Sequence, residues 1–200
     1  MRVLLDCEVS KEQWDSFYLA NFYSSPFQSY NFYTLFNSLE GFSANVFACE
    51  ENDEILALCV VTLQKEKGLR GYFSKRAIIY GGPLLSFNNL KAIDALFEKI
   101  KEYFRKKAIY IEIRNYFDYS EYIQKFEKLN FHYLPWLNYQ IHTFNIEEVK
   151  KNISSSRLRQ IKKAIKNGVI WKEASSIVEV KTFYNILSNL YQNKIKKPLL

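Results

Sequence analysis

Glycine and proline are scarce in this chain, 6 and 4 among 200 residues, against 15 tyrosines and 16 phenylalanines. That balance excludes a linker-rich or low-complexity chain and fits a packed α/β domain. Cysteine is sparse as well: Cys7, Cys49 and Cys59 form no CxxC pair, which argues against a disulfide framework or a zinc knuckle. The thiols are expected to be reduced, with Cys49 and Cys59 buried inside strand-like runs. His132 and His142, the two histidines, lack HExxH spacing, so no metal site is expected. Walker A, GxSxG and GxGxxG patterns are missing, which removes support for hydrolase and nucleotide-kinase readings. No run reaches about 18 apolar residues, and the opening MRVLLDCEVSKEQW carries acids too early for a signal peptide. A cytoplasmic protein without a transmembrane segment is therefore expected.

What is present is apolar and basic. A hydrophobic content of 48% over 200 residues is enough for a sizeable core. Lys and Arg number 28 against 21 Asp and Glu, a net charge of +7, which permits an anionic partner such as nucleic acid, phosphate or a membrane surface without choosing among them.

The periodicity divides the chain. Ser10 followed by Lys11, Glu12 and Gln13 reads as a capping box opening a helix to Asn21, and 29–39 reads as a second helix ended by Gly41. ANVFACEE and EILALCVVTLQ are strand-like runs around Glu51, Asn52 and Asp53, a hairpin signal. RAIIYGGPLL, 76–85, reads as a third strand that breaks at Gly81, Gly82 and Pro83. Apolar residues at 93, 96, 97, 100, 103 and 104 predict a helix over 90–106, and AIYIEIRN, 108–115, a strand. SEYIQKFEKLN reads as a short helix, and FHYLPWLNYQIHTF as a returning strand interrupted by Pro135. A mixed sheet with helices on both faces follows, an α/β (α+β) fold over 1–145. After Phe144 the pattern restarts: a basic helix to Asn167 with Gly168 past its end, a strand VIWKEAS, and a helix over 178–192. Residues 146–200 thus read as the opening of a second domain.

Three places hold candidate chemistry. Gly81 and Gly82 at a strand end allow either a tight turn or close backbone approach to a ligand. Arg114 and Asn115 close a strand where ligands of open α/β sheets gather; the guanidinium either forks onto phosphate or carboxylate or pairs with a nearby acid such as Asp118. Lys75 and Arg76 stand just before the third strand, as a solvated entry or as weaker anion contacts. The stretch SSSRLRQIKKAIKNGV, 154–169, carries no acid; Arg157, Arg159, Lys162 and Lys163 flank an apolar stripe of Leu158, Ile161 and Ile165. Such a helix either holds phosphates along one flank or is a solvated amphipathic helix.

FQSYNFYTLF, YGGPLL, AIYIEIRN, FHYLPWLNYQIHTF and SSSRLRQIKKAIKNGVIW followed by FYNILSNLY, taken in order, resemble the FemABX-type peptidyltransferases, relatives of the GNAT acyltransferases. The resemblance implies a GNAT-like sheet and transfer of an aminoacyl group from aminoacyl-tRNA to an amine on a phosphorylated cell-wall precursor. It implies Arg114 and the Arg157 to Lys163 cluster as contacts for acceptor phosphates, with Lys75 and Arg76 behind them, and Tyr80 and Tyr139 lining the cleft. It also implies that 146–200 begins a second GNAT-like domain. Two departures stand out. Phe32 and Phe36 occupy positions where the family's QSxxW pattern has Trp and a following Lys, and the Q/RxxGxG/A loop that holds the pyrophosphate of CoA is absent, so no cofactor is expected. An RNA-binding module and a non-catalytic interaction half remain the alternatives.

Overall fold

The structure, a computed structural model, describes residues 1–65, 71, 73–86, 89–137 and 141–195. They fall into two compact units, Met1–Asn138 and Tyr139–Leu200.

The first unit is built on one sheet ordered β1-β2-β3-β4-β6, with β5 also paired to β3. Its strands are β1 (Arg2–Leu5), β2 (Ser43–Glu51), β3 (Glu54–Gln64), β4 (Arg76–Gly81), β5 (Leu84–Leu85) and β6 (Tyr110–Asn115). All pairs are antiparallel except β4 with β6, which run parallel in the register Arg76↔Tyr110 to Gly81↔Asn115. The β2–β3 turn places Asn52 and Asp53 at φ +54° and +63°, the two positive dihedrals a tight hairpin requires and that Asn and Asp tolerate best.

Helices cover both faces. On one lie α1 (Lys11–Ala20) and α2 (Tyr30–Ser38), each started by a serine, Ser10 or Ser29, whose Oγ accepts the N–H three residues on, as an N-cap should. The second half of the expected capping box is not formed: the Gln13 amide donates instead to the Asp53 carbonyl across the hairpin, at 2.9 Å. Trp14, Val46, Leu58, Val60 and Leu84 are the buried centre of this layer. On the other face, α3 (Leu90–Phe104) and α4 (Ile123–Lys128) bury Ile93, Leu96, Phe97, Ile100 and Phe126 against Phe47, Cys59 and Ile79. The strands are therefore apolar on both sides, which is why β3 reads as a continuous apolar run.

The second unit contains α5 (Ile146–Asn152), α6 (Ser155–Lys166), α7 (Ile177–Leu190) and a π-helical turn at Tyr191–Ile195. Ser154 caps α6 through the Arg157 N–H, and Gly168 sits at φ +73° beyond its end.

Several expectations are corrected. A strand β1 precedes α1 where none was read. FHYLPWLNYQIHTF forms no strand in its described residues, 131–137 and 141–144: Pro135 supplies no N–H, and Leu134, Trp136 and Leu137 are exposed with no strand beside them. VIWKEAS is likewise irregular, with Val169, Ile170 and Trp171 exposed. The single basic helix is two, α5 and α6, interrupted at Ile153, and the helix expected from Ser120 opens as a 3-10 turn, Ser120–Tyr122. Alternation of apolar residues reports a side-chain face. It does not supply a pairing partner.

Candidate functional site

The β4 strand ends in two consecutive glycines, both left-handed, Gly81 at φ +81° and Gly82 at φ +83°. This detour lifts the chain off β3: pairing holds from Gln64↔Arg76 to Thr62↔Ile78 and resumes only at Leu58↔Leu84. The interval would leave the backbone groups of Val60 and the Tyr80 carbonyl unpaired in a dry interior, at a cost of roughly 1–3 kcal/mol for each orphaned group.

A buried glutamine fills the gap. The Gln28 amide donates to the Tyr80 carbonyl at 2.7 Å and to the Val60 carbonyl at 3.4 Å, and its Oε1 accepts the Val60 N–H at 2.7 Å. Its own carbonyl accepts the Trp14 indole N–H at 2.9 Å. Gln28 ends the 3-10 turn Pro26–Gln28, and the segment leading to it follows the broken strand. Asn21 donates to the Leu85 carbonyl at 3.1 Å, Tyr23 stacks on Tyr119 with centroids 4.4 Å apart, and Ser25 faces Gly81. Each glycine is required by its neighbour as well as by its dihedral: a Cβ on Gly81 would collide with the Ser25 hydroxyl, and one on Gly82 would lie 2.5 Å from the Tyr119 hydroxyl and 2.7 Å from Asn115 Oδ1. The Tyr119 hydroxyl donates to the Pro83 carbonyl at 2.7 Å. Among the described residues the buried Ser25 Oγ has no hydrogen-bond partner.

Tyr80, Gly81, Arg114 and Asn115 are brought together by the parallel register, Tyr80 opposite Arg114 and Gly81 opposite Asn115. The Arg114 guanidinium lies 5.2 Å from the Tyr80 ring centroid and donates to both oxygens of Glu112, at 2.8 and 3.3 Å. The acid that pairs with it is thus Glu112, two residues back on the same face, and not Asp118, whose carboxylate accepts the Ser120 N–H. That pairing raises Arg114 further above its ordinary value. The Tyr80 hydroxyl accepts from the Gln64 amide at 2.8 Å.

The other candidates fall elsewhere. Lys75 and Arg76 stand at the opposite end of β4, five residues from Gly81 or roughly 16 Å at the rise of an extended strand, so they do not join this cluster. Arg157, Arg159, Lys162 and Lys163 are exposed on α6 in the second unit, where Arg157 donates to Gln160 at 3.0 Å. Tyr139 lies outside the described residues.

Buried thiols take no part: burial pushes Cys59 and Cys49 up, so both stay protonated and weak as nucleophiles. A cavity of about 910 Å³ opens at the far side of the first unit beside Asp6, Tyr33 and Asn45. Two of its polar side chains are committed to each other, Asp6 accepting from Asn45 at 2.7 Å, and Asp6 also accepts the Val46 N–H at 3.0 Å. A CoA pyrophosphate needs free N–H groups at a helix start. Here Asn89 Oδ1 already accepts the Ala92 N–H at the start of α3, and 83–90 holds neither glycine nor a basic residue. That composition does not fit the pyrophosphate of CoA.

An antiparallel sheet that turns parallel at β4 and β6, with helices on both faces, is the fold of the GNAT acyltransferases. The aminoglycoside N-acetyltransferase AAC(6')-Iy, solved in complex with CoA, aligns with a TM-score of 0.52 at 8% identity, over 71% of this chain and 94% of that one. A crystal structure of FemX aligns with a TM-score of 0.67 at 16% identity, over 97% of this chain and 50% of that one. This chain therefore spans about half the length of FemX. No curated protein matches it by sequence. Residues 9–137 match the FemAB family, and the chain belongs to that family.

The sequence suggested Gly81 and Gly82 at one strand end and Arg114 and Asn115 at another; the parallel register of β4 and β6 sets the two ends side by side. Sequence reasoning missed Gln28, Ser25 and Tyr119. Gln28 stands inside the quoted FQSYNFYTLF, but a glutamine in a polar context reads as surface. Only the double glycine fifty residues later gives its amide something to satisfy.

Proposed function

We propose that the chain belongs to an enzyme that transfers an aminoacyl group from aminoacyl-tRNA to an amine of a phosphorylated cell-wall or related precursor, with the break at Gly81 and Gly82 as the reaction locus. The observation that carries this reading is the Gln28-wedged break at the carboxyl end of two parallel strands, where the β3–β4 ladder is interrupted beside Arg114 and Asn115.

The chemistry asks little of side chains. A neutral amine attacks the ester carbonyl; the C–N bond forms, the C–O bond to the ribose breaks, and the proton leaving the amine ends on the ribose oxygen. Catalysis then rests on positioning and on N–H groups aimed at the developing oxyanion. No side-chain nucleophile is needed. Arg114, neutralised by Glu112, orients a ligand better than it binds phosphate, while Arg157, Arg159, Lys162 and Lys163 are exposed cations on α6. Donor and acceptor of this kind are both cytoplasmic, in keeping with a chain in which, among the described residues, no helix is long and apolar enough to cross a membrane.

The same α6 favours a second reading, an RNA-binding module without transfer, because cations without an interspersed acid bind phosphate chains irrespective of sequence. One assay separates the two. The chain is incubated with tRNA carrying a radiolabelled amino acid and with a UDP-linked muramyl peptide, and label is followed into the peptide. Transfer that Gly82→Ala abolishes supports the proposal. Tight tRNA binding with steep salt dependence and no label in any amine supports the alternative.

A further inference from the structure

The sheet of the first unit has two edges, and they are finished differently. β1 holds four residues and is stopped at once by Asp6, which takes φ +50° and opens a 3-10 turn. Such a short, blunted edge resists an added strand. β6 holds six residues, pairs with β4 in unbroken register on one side and is the last strand in the sheet order. Alternate N–H and C=O groups of a strand point to opposite sides, and those of β6 that point away from β4 have no backbone partner among the described residues. No proline, lysine or bulge guards this edge. Its approaches are open, Ile109 being 63% and Tyr110 45% exposed.

A row of donors and acceptors that repeats every second residue is complementary to another extended backbone, which is how peptides add to a sheet edge. A phosphate chain or a sugar ring does not match that repeat. Charge gives a polyanion no hold here either, because Glu112 and Arg114, the two charged side chains of β6, are spent on each other. Direction follows from the chemistry of an amine acceptor. A strand laid antiparallel begins where β6 ends, so its amino terminus comes to Arg114 and Asn115, both exposed, at the rim of the break; a parallel strand would bring its carboxyl terminus there.

From this geometry we infer that the outer edge of β6 takes the acceptor as an added antiparallel strand, a peptide with a free amino terminus held through its main chain. The inference rests on the proposed transfer reading and names the acceptor class. About five residues suffice to cover the strand, roughly 17 Å at the rise of an extended chain.

Titration of the labelled chain with penta-alanine amide, followed by amide-resolved NMR, tests it against alaninamide and against two isomers of the pentapeptide, N-methylated at residues 2 and 4 or at residues 3 and 5. The pentapeptide is expected to bind about tenfold more tightly than alaninamide and to slow hydrogen exchange at alternate residues of β6. One isomer loses that advantage, because its methyl groups face β6, and the other keeps it. Equal affinity of the two isomers, no gain of the pentapeptide over alaninamide, or shifts confined to α6 overturns the strand. Sedimentation of the chain alone is the second check: self-association that slows the same β6 amides means that the edge takes a second copy, and the inference falls. Label transfer distinguishes the layers. Equal transfer to alaninamide and pentapeptide defeats the added strand and keeps the transferase reading, whereas isomer-dependent binding without label in any amine defeats the transferase reading and keeps β6 as a peptide site.

Discussion

Phe97 on α3 and Ile165 on α6 are both apolar residues on the apolar stripe of an amphipathic helix, yet Phe97 is fully buried and Ile165 is 69% exposed. The contrast extends to their units. The first withdraws both faces of a sheet from water, and among the described residues of 141–195 none is buried. The difference lies in what faces the stripe. The sheet between β1 and β6 offers α3 an apolar surface at every turn, whereas Leu158, Ile161 and Ile165 have helical periodicity and, among the described residues, none is buried. Periodicity predicts a helix; burial requires a second element.

Truncation sharpens this comparison most. Phe97 touches Phe126 and Phe131 edge-on at 5.3 and 5.4 Å, so Phe97→Ala is expected to cost about 3–5 kcal/mol, while Ile165→Ala stays within about 0.5 kcal/mol. Urea unfolding of the two variants checks this, and equal losses would break the contrast.

Gln28→Leu is next. It keeps volume and removes three hydrogen bonds, leaving Val60 and the Tyr80 carbonyl dry and unpaired, and is expected to cost about 3 kcal/mol. Folded protein should also show faster hydrogen exchange at Val60.

Two glycines compare the units at one dihedral. Gly81 and Gly168 share φ near +80° and +73°, but a Cβ on Gly168 meets nothing within 4 Å. Gly168→Ala should cost about 1–2 kcal/mol, the left-handed penalty alone. Gly81→Ala adds the collision with Ser25, and adding Ser25→Gly should recover the excess and leave the penalty. A double-mutant cycle reads this coupling.

Tyrosines of the first unit set an alkaline limit. Burial, reinforced by Tyr122, pushes Tyr23 up to about 12, and burial raises Tyr119 as well. The folded state therefore holds protons that the unfolded chain releases near pH 10. The stabilisation is complete below that value and is lost as pH rises from about 10 toward 12. Denaturant titrations across this window should show falling stability, and Tyr23→Phe should flatten the fall.

The smallest effect on stability belongs to α6. Replacing Arg157, Arg159 and Lys162 by Ala should leave unfolding unchanged and lower the salt slope of tRNA binding by about 2 to 3, measured by filter binding at several salt concentrations.

Much of the first unit was legible because its signals are local. Ser10 and Ser29 cap helices, Asn52 and Asp53 turn a hairpin, and Gly81 and Gly82 break a strand. The four residues of β1 are too short to show a period and are betrayed only by pairing with β2. FHYLPWLNYQIHTF carries a strand's composition, and nothing in the sequence reports whether another strand lies beside it. The site was half legible for the same reason. Gly81 and Gly82 announce a break, but the groups orphaned by it belong to β3 and β4 and the residue that satisfies them to the turn before α2. Non-local satisfaction of this kind leaves no periodic trace.

The most direct test of the account is where an amine binds. Amide-resolved NMR of the labelled chain during titration with alaninamide should move Tyr80, Gly81, Gly82, Arg114, Asn115 and Tyr116 together and leave α6 in place. Shifts confined to 155–166, or shifts at Asp6 and Asn45 beside the far cavity, would contradict a reaction locus at the broken strand.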